Sequence, residues 1–413
     1  MRTTKTTIKI TLLFLLILAG SLMVSISAKA KTYTVSPKTK PCDRTANYEN
    51  YNKNTKHFYM LRSYLAKIEK QKGGTLILKK GTYNIPNTLF VASKTKIILK
   101  KGAVIKKTKK GGPILKASST IFQLVSSKNA KKTGVVGGHS GEHDITISGQ
   151  GTIDLGYVDQ GTKPVIAIIM GHNKNILVDG ITIKNMKYGH MIEMDACQNI
   201  TVKNCKFTGH KQSGKWNKEA INLDVPDPNR DGFNSAWSKM DKTPNESITI
   251  ENCKFTNLEA GAGTHRYTGN VYQTDVTIRN NTFSKCQTVL RILNYKNVTI
   301  TGNTFTDCKP NDRYKYALFF AGLRGINFSY NTFKNCGWSA DNCPPARPVA
   351  SLPHLLQFWW GMGYSAAQDL YDPVTSELTE DEAALFMTNT AEHSGIIYTY
   401  GKGDYSVNFT DGN

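Results

Sequence analysis

The sequence predicts an all-β protein folded as a right-handed parallel β-helix, a solenoid closed by an N-terminal capping helix. Three observations lead to this fold class: a strand–turn–strand motif that recurs along most of the chain, a turn position filled by Gly or Asn, and a matching series of Phe residues. In such a solenoid each coil buries its apolar face against its neighbouring coils.

The recurring motif is a strand of alternating apolar residues, a turn and a second such strand. Its copies read TLILKKGTY from residue 75, KIILKKGAV from 96, DITISGQGT from 144, NILVDGITI from 175, NITVKNCKF from 199, SITIENCKF from 247, DVTIRNNTF from 275, NVTITGNTF from 297 and GINFSYNTF from 325. The shortest steps between copies are about 21 to 24 residues, a period typical of solenoids.

The turn of the motif is filled by residues that tolerate a left-handed backbone. These are Gly149, Gly180, Asn204, Asn252, Asn280 and Gly302. A Phe recurs near the end of the second strand, at Phe207, Phe255, Phe283, Phe305 and Phe333. On rungs about 4.8 Å apart, these rings are expected to stack inside the solenoid, which should have about nine or ten coils.

Cysteines follow the same repeat. Cys205 and Cys253 share one rung position, and Cys286, Cys308 and Cys336 share another. Neighbouring rungs bring Cα atoms within disulfide range, but buried stacked thiols are the favoured interpretation because free Cys packs as a small apolar residue. No Cys-x-x-Cys pair occurs, so a zinc site is not expected, and no residue is assigned as a metal ligand.

The two ends of the solenoid differ. Before the first copy, an amphipathic helix is expected over 56–72, with Phe58, Leu61, Leu65 and Ile68 on one face and a stop at Gly73-Gly74. The motif stops after Cys336, and an acidic helix is predicted near ELTEDEAALF. The predicted divisions are an N-terminal segment with the capping helix (31–74), the β-helix (75–336) and a C-terminal segment of uncertain role that could form a second cap (337–413).

The first residues predict export. A basic start and an apolar stretch precede Ser-Ala-Lys-Ala, which ends at Ala30. This order is typical of a secretory signal peptide over 1–30, and an uncleaved membrane anchor is the alternative. No other stretch approaches membrane-spanning length. The prediction is a secreted, extracellular protein with no membrane association after cleavage.

Positive charge is concentrated in the N-terminal third. The formal net charge is +22, and the acids between residues 31 and 133 are Asp43, Glu49 and Glu69. A basic flank of this kind attracts polyanions. For an exported protein these would be acidic polysaccharides or wall polymers rather than nucleic acid, although the flank could simply be a solubilising surface.

A third strand in each coil carries polar residues on its outward face. Keeping alternate apolar residues inward leaves six polar side chains outward on consecutive coils. They form two predicted columns, one of Asp195, Asp224 and His265 and one of Glu193, Asn222 and Arg291. The irregular segment from Pro226 to Glu246 is expected to form a wall beside them. Stacked carboxylates repel each other and raise a pKa, which suits acid/base chemistry, whereas an ordinary solvated face is the alternative.

The copies from GGTLILKKGTY to the NITVKNCKF coils resemble the pectate-lyase-like β-helix superfamily. Within it the chain is most similar to glycoside hydrolase family 28, the polygalacturonases, over roughly residues 55–336. The resemblance implies a secreted enzyme that cleaves uronic-acid-rich chains by inverting hydrolysis with Asp residues.

The family's catalytic motifs are matched in altered form. Asn-Thr-Asp corresponds to Asn217-Lys218-Glu219, Asp-Asp to Glu259-Ala260, and Arg-Ile-Lys to Arg291-Ile292-Leu293, while the nearest imidazole to Gly-His-Gly is His265. The resemblance therefore implies that Glu219, Glu259 and His265 are catalytic and that Arg291 holds substrate, without the family's lysine beyond it.

Three functions remain open from the sequence. The first is a polysaccharide hydrolase with catalytic Glu219, Asp224, Glu259 and His265, and with substrate bound by Arg291, Asp195, Asn222 and Glu193. The second is a uronate lyase or epimerase, with His265 as base and Arg291 stabilising the enolate. The third is a polysaccharide-binding protein without catalysis. No cofactor is predicted, although calcium would fit a lyase.

Overall fold

The computed structural model describes residues 30–43, 50–112, 115–161, 163–211, 218–230, 232–233, 235–309 and 316–336, and further short segments at 354–359, 388–392, 397–400 and 405–407. The predicted signal peptide up to residue 29 and the predicted acidic helix near 377–386 lie outside these ranges. Every element named below belongs to one unit, Thr32–Asn413.

Almost all of the regular secondary structure in the described residues is strand. In order, its elements are β1 (Thr32–Val35), α1 (Lys56–Lys70), β2 (Gly74–Leu78), β3 (Gly81–Ile85), β4 (Leu89–Phe90), β5 (Thr95–Leu99), β6 (Ala103–Lys107), β7 (Thr120–Gln123), β8 (His143–Gly149), β9 (Thr152–Asp154), β10 (Ile166–Gly171), β11 (Lys174–Asp179), β12 (Thr182–Met186), β13 (Ile192–Asp195), β14 (Gln198–Lys203), β15 (Lys206–His210), β16 (Glu219–Asp224), β17 (Glu246–Glu251), β18 (Lys254–Thr256), β19 (Ala260–Gly263), β20 (Gln273–Arg279), β21 (Thr282–Ser284), β22 (Thr288–Thr301), β23 (Thr304–Thr306), β24 (Tyr316–Ser329), β25 (Thr332–Lys334), β26 (His354–Trp359), β27 (Thr390–Glu392), β28 (Ile397–Tyr400) and β29 (Tyr405–Val407).

The strands stack into three parallel faces, which confirms the predicted right-handed parallel β-helix. The first face holds β2, β5, β8, β11, β14, β17, β20 and the second halves of β22 and β24. The second face is a separate sheet of 10 strands, from β3 to β27. The third face holds β4, β7, β10, β13, β16, β19 and the first halves of β22 and β24.

The predicted Phe column fills the interior. Ring centroids are 4.8 Å apart from Phe207 to Phe255, 4.5 Å from Phe255 to Phe283, 5.1 Å from Phe283 to Phe305 and 4.6 Å from Phe305 to Phe333. The five repeat cysteines are buried thiols that contact backbone carbonyl groups, as favoured from the sequence.

Buried asparagines connect successive coils at the turn between the first two faces. The Nδ2 group of Asn303 donates to the carbonyl oxygen of Ile278 and to Oδ1 of Asn331. Its own Oδ1 accepts from the backbone N–H and the Nδ2 group of Asn281. In the same way, the backbone N–H and the Nδ2 group of Asn331 donate to Oδ1 of Asn389. This ladder satisfies backbone groups that the turn would otherwise leave unpaired.

The capping helix α1 buries the predicted face, which includes Phe58, Leu61, Leu65 and Ile68. It ends two residues earlier than predicted, because Lys72 already adopts a left-handed backbone with φ of 58°. The N–H group of Gly73 then donates to the carbonyl oxygen of Ile68 and closes the helix. Within the described residues, no helix combines the length and the apolar character needed to cross a bilayer.

Strand stacking continues past Cys336, beyond the predicted end of the β-helix. Strand β26 pairs in parallel with β24, β27 pairs with β25, and β28 pairs with β26. Strand pairing uses backbone groups, so it does not require the Phe and Asn positions of the motif. The end of the sequence motif is therefore not the end of the sheets.

Candidate active site

The site lies on the third face, where β13, β16, β19 and β22 occupy consecutive coils. Their register pairs Glu193 with Asn222, and it aligns Gly263 with both Asn222 and Arg291. Asp195 pairs with Asp224 in the neighbouring column. The column of Glu193, Asn222 and Arg291 and the pair of Asp195 and Asp224 therefore have the predicted composition, whereas His265 lies beyond the end of β19 and outside this strand pairing. Backbone pairing alone brings together side chains that are up to about a hundred residues apart in sequence.

A third column, of His190 and Glu219, arises because the alternation of inward and outward side chains is broken. Ala220 and Ile221 are consecutive, yet both belong to the apolar interior. Strict alternation from Ile221 would turn Glu219 inward, whereas the break turns it outward. The same break occurs at Met191 and Ile192, one coil earlier. It places His190, a residue missed in the sequence analysis, beside Glu219.

Glu219 is at the centre of the contacts. Its Oε1 accepts a hydrogen bond from Nη1 of Arg291 at 3.1 Å. Its Oε2 lies 3.1 Å from Nδ1 of His265 and 4.0 Å from Nδ1 of His190. The Nδ1 atom of His190 is also 2.7 Å from the backbone carbonyl oxygen of Glu219. Two imidazoles and a guanidinium therefore surround one carboxylate.

Asp224 is fixed by backbone groups. Its Oδ1 accepts the N–H groups of His265 and Arg266, both at 3.0 Å, while Oδ2 lies 3.4 Å from Nδ1 of His265. The chain reaches His265 and Arg266 through Gly263, whose φ is 138°. A Cβ at Gly263 would lie 2.0 Å from the carbonyl oxygen of Arg291. Glycine is therefore required at this point.

The other predicted residues lie around this centre. Oδ1 of Asn222 is 3.0 Å from Nδ1 of His265. Glu259 is buried and directly precedes β19, whose register places it opposite Lys218. Nζ of Lys218 lies 3.2 Å from Nε2 of His265. Asn217, the first residue of the matched motif, lies outside the described residues.

The carboxyl groups are buried, which excludes the alternative of an ordinary solvated face. Asp195, Glu219 and Asp224 are all 0% exposed. Within the described part of the chain, both carboxyl oxygens of Asp195, Oε2 of Glu219 and Oδ2 of Asp224 have no hydrogen-bond partner. Unpartnered buried carboxyl oxygens are costly unless a proton, a cation or a ligand occupies them.

Burial raises the pKa of most of these carboxyl groups. It raises the pKa of Glu193 to about 8, with Asp224 adding to the effect. Burial also raises the pKa of Asp195, with the charges of Glu193 and Asp224 contributing, and it raises the pKa of Asp224. This agrees with the predicted direction, although burial is a larger cause than repulsion between the carboxylates.

Glu219 behaves oppositely. Burial opposes its ionisation, but contacts with His265, Arg291 and His190 outweigh burial and lower the pKa of Glu219 well below its usual range. Burial also lowers the pKa of His190 to about 3, so His190 is neutral near pH 7. Near neutral pH the Glu219 carboxylate therefore depends on Arg291 and His265, and His190 contributes little.

The described residues of the segment 226–245 form part of the predicted wall. Its Phe233 and Trp237 rings pack against Gly171 of β10, where a Cβ would lie 2.5 Å from both rings. Gly171 is the in-register neighbour of Asp195. The two rings therefore flank the Asp195 column on the preceding coil.

A cavity of about 220 Å³ opens beside this wall, away from the Glu219 contacts. Ser93, Glu142, His143 and Trp237 are among its lining residues. The carboxylate of Glu142 accepts hydrogen bonds from the backbone N–H groups of Ser93 and Ser126. Because these bonds hold neighbouring turns together, we assign Glu142 a structural role.

Comparison with known proteins supports the fold. A family model described as "Right handed beta helix region" matches residues 242–343. Plasmin and fibronectin-binding protein A of Streptococcus pneumoniae is 29% identical over 147 residues, which is 33% of this chain and 20% of that protein. The match thus spans about a fifth of that relative's length.

Two solved structures share the fold at low identity. The crystal structure of PfbA, a surface adhesin of Streptococcus pneumoniae, superposes with a TM-score of 0.53 at 18% identity, covering 84% of this chain and 85% of that one. The tailspike protein of E. coli bacteriophage HK620 in complex with pentasaccharide gives 0.51 at 13% identity, covering 79% of this chain and 57% of that one.

Proposed function

From the premise that the chain is a right-handed parallel β-helix, we propose that it is a carbohydrate-active enzyme that hydrolyses glycosidic bonds in an acidic polysaccharide by general acid/base catalysis. One observation carries this proposal. Two buried carboxyl groups, Glu219 and Asp224, meet at the imidazole of His265, and each keeps one oxygen without a hydrogen-bond partner in the described part of the chain.

The two carboxyl groups differ in the way that this chemistry requires. Contacts with His265 and Arg291 lower the pKa of Glu219 despite burial, while burial raises the pKa of Asp224. A pair of titratable groups whose pKa values are driven apart supplies a base and an acid at one pH. We assign Asp224 as the acid that protonates the glycosidic oxygen and Glu219 as the base that takes a proton from the attacking water.

The separation of the two groups is compatible with glycosidase geometry. Both reactive oxygens lie within 3.4 Å of the same nitrogen of His265. They are therefore at most about 6.5 Å apart, which reaches the lower limit of inverting enzymes and includes the roughly 5 to 5.5 Å of retaining enzymes. The family resemblance favours inversion, and the anomer of the first product, read by NMR, would decide.

The remaining residues are proposed to hold substrate or support the pair. Arg291 and Lys218 are the cations beside the Glu219 pair, and they suit the carboxylates of an acidic sugar. Glu193, Asp195 and Asn222 are proposed to hydrogen-bond sugar hydroxyl groups. His265 contacts both reactive carboxyl groups and is proposed to orient them, and Glu259 is proposed as a further catalytic carboxyl group.

We propose an extracellular location. The basic start and apolar stretch of the sequence predict a signal peptide. The similarity to a protein described as a surface adhesin supports the same location.

A binding protein without catalysis is the second candidate. It is favoured by the complete burial of Glu219 and Asp224, which restricts access to the reactive oxygens. The similarity to a plasmin and fibronectin-binding protein points the same way. Under this reading the ligand is an acidic polysaccharide or a host protein, and the buried charges only shape the surface.

A panel of acidic polysaccharides separates these functions. We expect new reducing ends without the ultraviolet absorbance of an unsaturated uronate, because hydrolysis adds water across the broken bond. Reducing ends accompanied by that absorbance would identify a lyase instead. Saturable binding without new reducing ends on any member of the panel would support the binding protein and contradict hydrolysis.

A further inference from the structure

We propose that His190, Glu219 and His265 form a binding site for a borderline transition-metal ion such as Zn²⁺, with Asp224 as an additional ligand. One ligand atom from each of the first three residues lies within 4.8 Å of the others. Imidazole nitrogens and carboxylate oxygens are the donors that Zn²⁺ takes in three-residue sites.

Two of the donor spacings fit tetrahedral coordination. Nδ1 of His265 lies 3.1 Å from Oε2 of Glu219 and 3.4 Å from Oδ2 of Asp224. Metal–ligand bonds of 2.0–2.1 Å place neighbouring tetrahedral ligands roughly 3.3 Å apart. These three atoms therefore need little adjustment to share one ion.

The same oxygens lack other partners. Within the described residues, neither Oε2 of Glu219 nor Oδ2 of Asp224 has a hydrogen-bond partner, and both residues are fully buried. Oε1 of Glu219 and Oδ1 of Asp224 are held by Arg291 and by backbone N–H groups. Each carboxylate is thus oriented through one oxygen and leaves the other one for an ion, as supporting hydrogen bonds do at metal sites.

His190 is oriented in the same way. Its Nδ1 lies 2.7 Å from the carbonyl oxygen of Glu219, which places the proton on Nδ1 and leaves the Nε2 lone pair for a ligand bond. Lys218 donates to Nε2 of His265, and Nδ1 lies 3.0 Å from Oδ1 of Asn222, so the proton is on Nδ1 in this arrangement. Zn²⁺ binding at Nδ1 would release that proton and require Lys218 to turn away from Nε2.

Local charge also favours a divalent ion. Four buried carboxyl groups, those of Glu193, Asp195, Glu219 and Asp224, lie together near Lys218, Arg266 and Arg291, and a divalent ion would favour ionisation of the three whose pKa burial raises. Two imidazole ligands select against Ca²⁺, which prefers six to eight oxygens. If the proposed hydrolysis is correct, a bound ion would occupy its two reactive oxygens and inhibit it; the site itself does not depend on that function.

Calorimetric titration of the untagged protein with ZnCl₂ and CaCl₂ tests the proposal. We expect one Zn²⁺ per chain, bound at least about tenfold more tightly than Ca²⁺. His190→Gln and Glu219→Gln should each weaken Zn²⁺ binding at least about tenfold, the scale of losses at metal sites. His143→Gln is the matched control, because His143 is an exposed imidazole 2.8 Å from Asp144, and it should bind as the wild type does.

Wild-type protein that binds no stoichiometric Zn²⁺, or that prefers Ca²⁺, would overturn the proposal. Equal affinity in His190→Gln and wild type would overturn it as well. Co²⁺ titration needs no variant: a tetrahedral nitrogen and oxygen site gives intense visible absorption, and weak octahedral absorption would contradict the assignment. All of these experiments measure metal binding. A negative result would therefore overturn the metal site without bearing on the hydrolysis that the reducing-end assay tests.

Discussion

At the scale of single residues, Arg291 helps His265 to keep Glu219 ionised. Its guanidinium holds Oε1 of Glu219 at 3.1 Å and lowers the pKa of that carboxyl group. In Arg291→Gln the pKa of Glu219 should rise, so the acidic limb of the activity profile should move up by about one pH unit or more. The measurement is kcat/KM against pH on chelator-treated protein.

The control for this prediction is another arginine–glutamate pair. Arg279 contacts Glu251 at 2.7 Å on the exposed side of the first face. Arg279→Gln should leave the acidic limb unchanged. An unshifted limb in Arg291→Gln would mean that Glu219 is not the group whose ionisation limits activity.

Glu193 should make stability depend on pH. Its pKa rises from 4.5 to about 8 on folding because of burial and Asp224. Between these values the folded state binds more protons than the unfolded state, so the free energy of unfolding should fall as pH rises. Glu193→Gln should flatten this dependence, as measured by Tm from pH 5 to about 8.

The exposed carboxyl group of Glu246 provides the comparison, since Glu246→Gln should keep the wild-type slope of Tm against pH. If Glu193→Gln also kept that slope, the proton taken up on folding would belong to another group.

Side-chain direction was predictable from the sequence only where the alternation is regular. Regular alternation placed Glu193, Asn222 and Arg291 in one column, as the register shows. The break at Ala220 and Ile221 was not predictable, because two consecutive small or apolar residues also fit a regular strand. His190 was missed for this reason, and Glu219 was found through family resemblance rather than register.

At the scale of elements, the asparagine ladder should stabilise the turn between the first two faces. Asn303→Ala would leave the N–H group of Asn281 and the carbonyl group of Ile278 without their buried partners. Each loss costs about 1 to 3 kcal/mol, so the free energy of unfolding should fall by at least about 2 kcal/mol. Chemical denaturation measures it.

Thr304→Ala is the control, because Thr304 follows directly in β23 and is exposed. It should change the free energy of unfolding by no more than about 0.5 kcal/mol. Equal effects of the two substitutions would show that strand propensity, not the ladder, stabilises this turn.

The strands, turns and Phe column were predictable because they depend on local chemistry. Period-2 patterning, left-handed turn residues and identical rungs each specify the same coil. The packing of Phe233 and Trp237 against Gly171, beside the Asp195 column, was not predictable. An irregular segment carries no periodic signal for that packing.

At the scale of the whole molecule, the basic flank should steer polyanions to the protein. Lys100 and Lys101 are exposed in the turn after β5. Replacing both with Glu should weaken binding of an acidic polysaccharide by about threefold to tenfold at low salt, and less at high salt, because salt screens exposed charges. Binding isotherms at two salt concentrations measure this.

Lys285 and Lys296 are exposed outside the flank, so their double substitution by Glu makes the same change in net charge elsewhere. It should weaken binding less. Equal losses would show that net charge acts without a localised flank, which is the solubilising interpretation.

Overall solenoid length was harder to predict, because β26 and β28 stack by backbone pairing without the sequence motif.

The rate of reducing-end release from an acidic polysaccharide, measured for wild type, Glu219→Gln, Asp224→Asn and the exposed control Glu246→Gln, tests the proposed function most directly. Acid and base groups contribute on the order of 100-fold or more, so both site variants should lose at least about that factor while remaining folded, and the control should keep full activity. Rates within about twofold of wild type in both site variants, against that expected loss, would contradict catalysis by this pair.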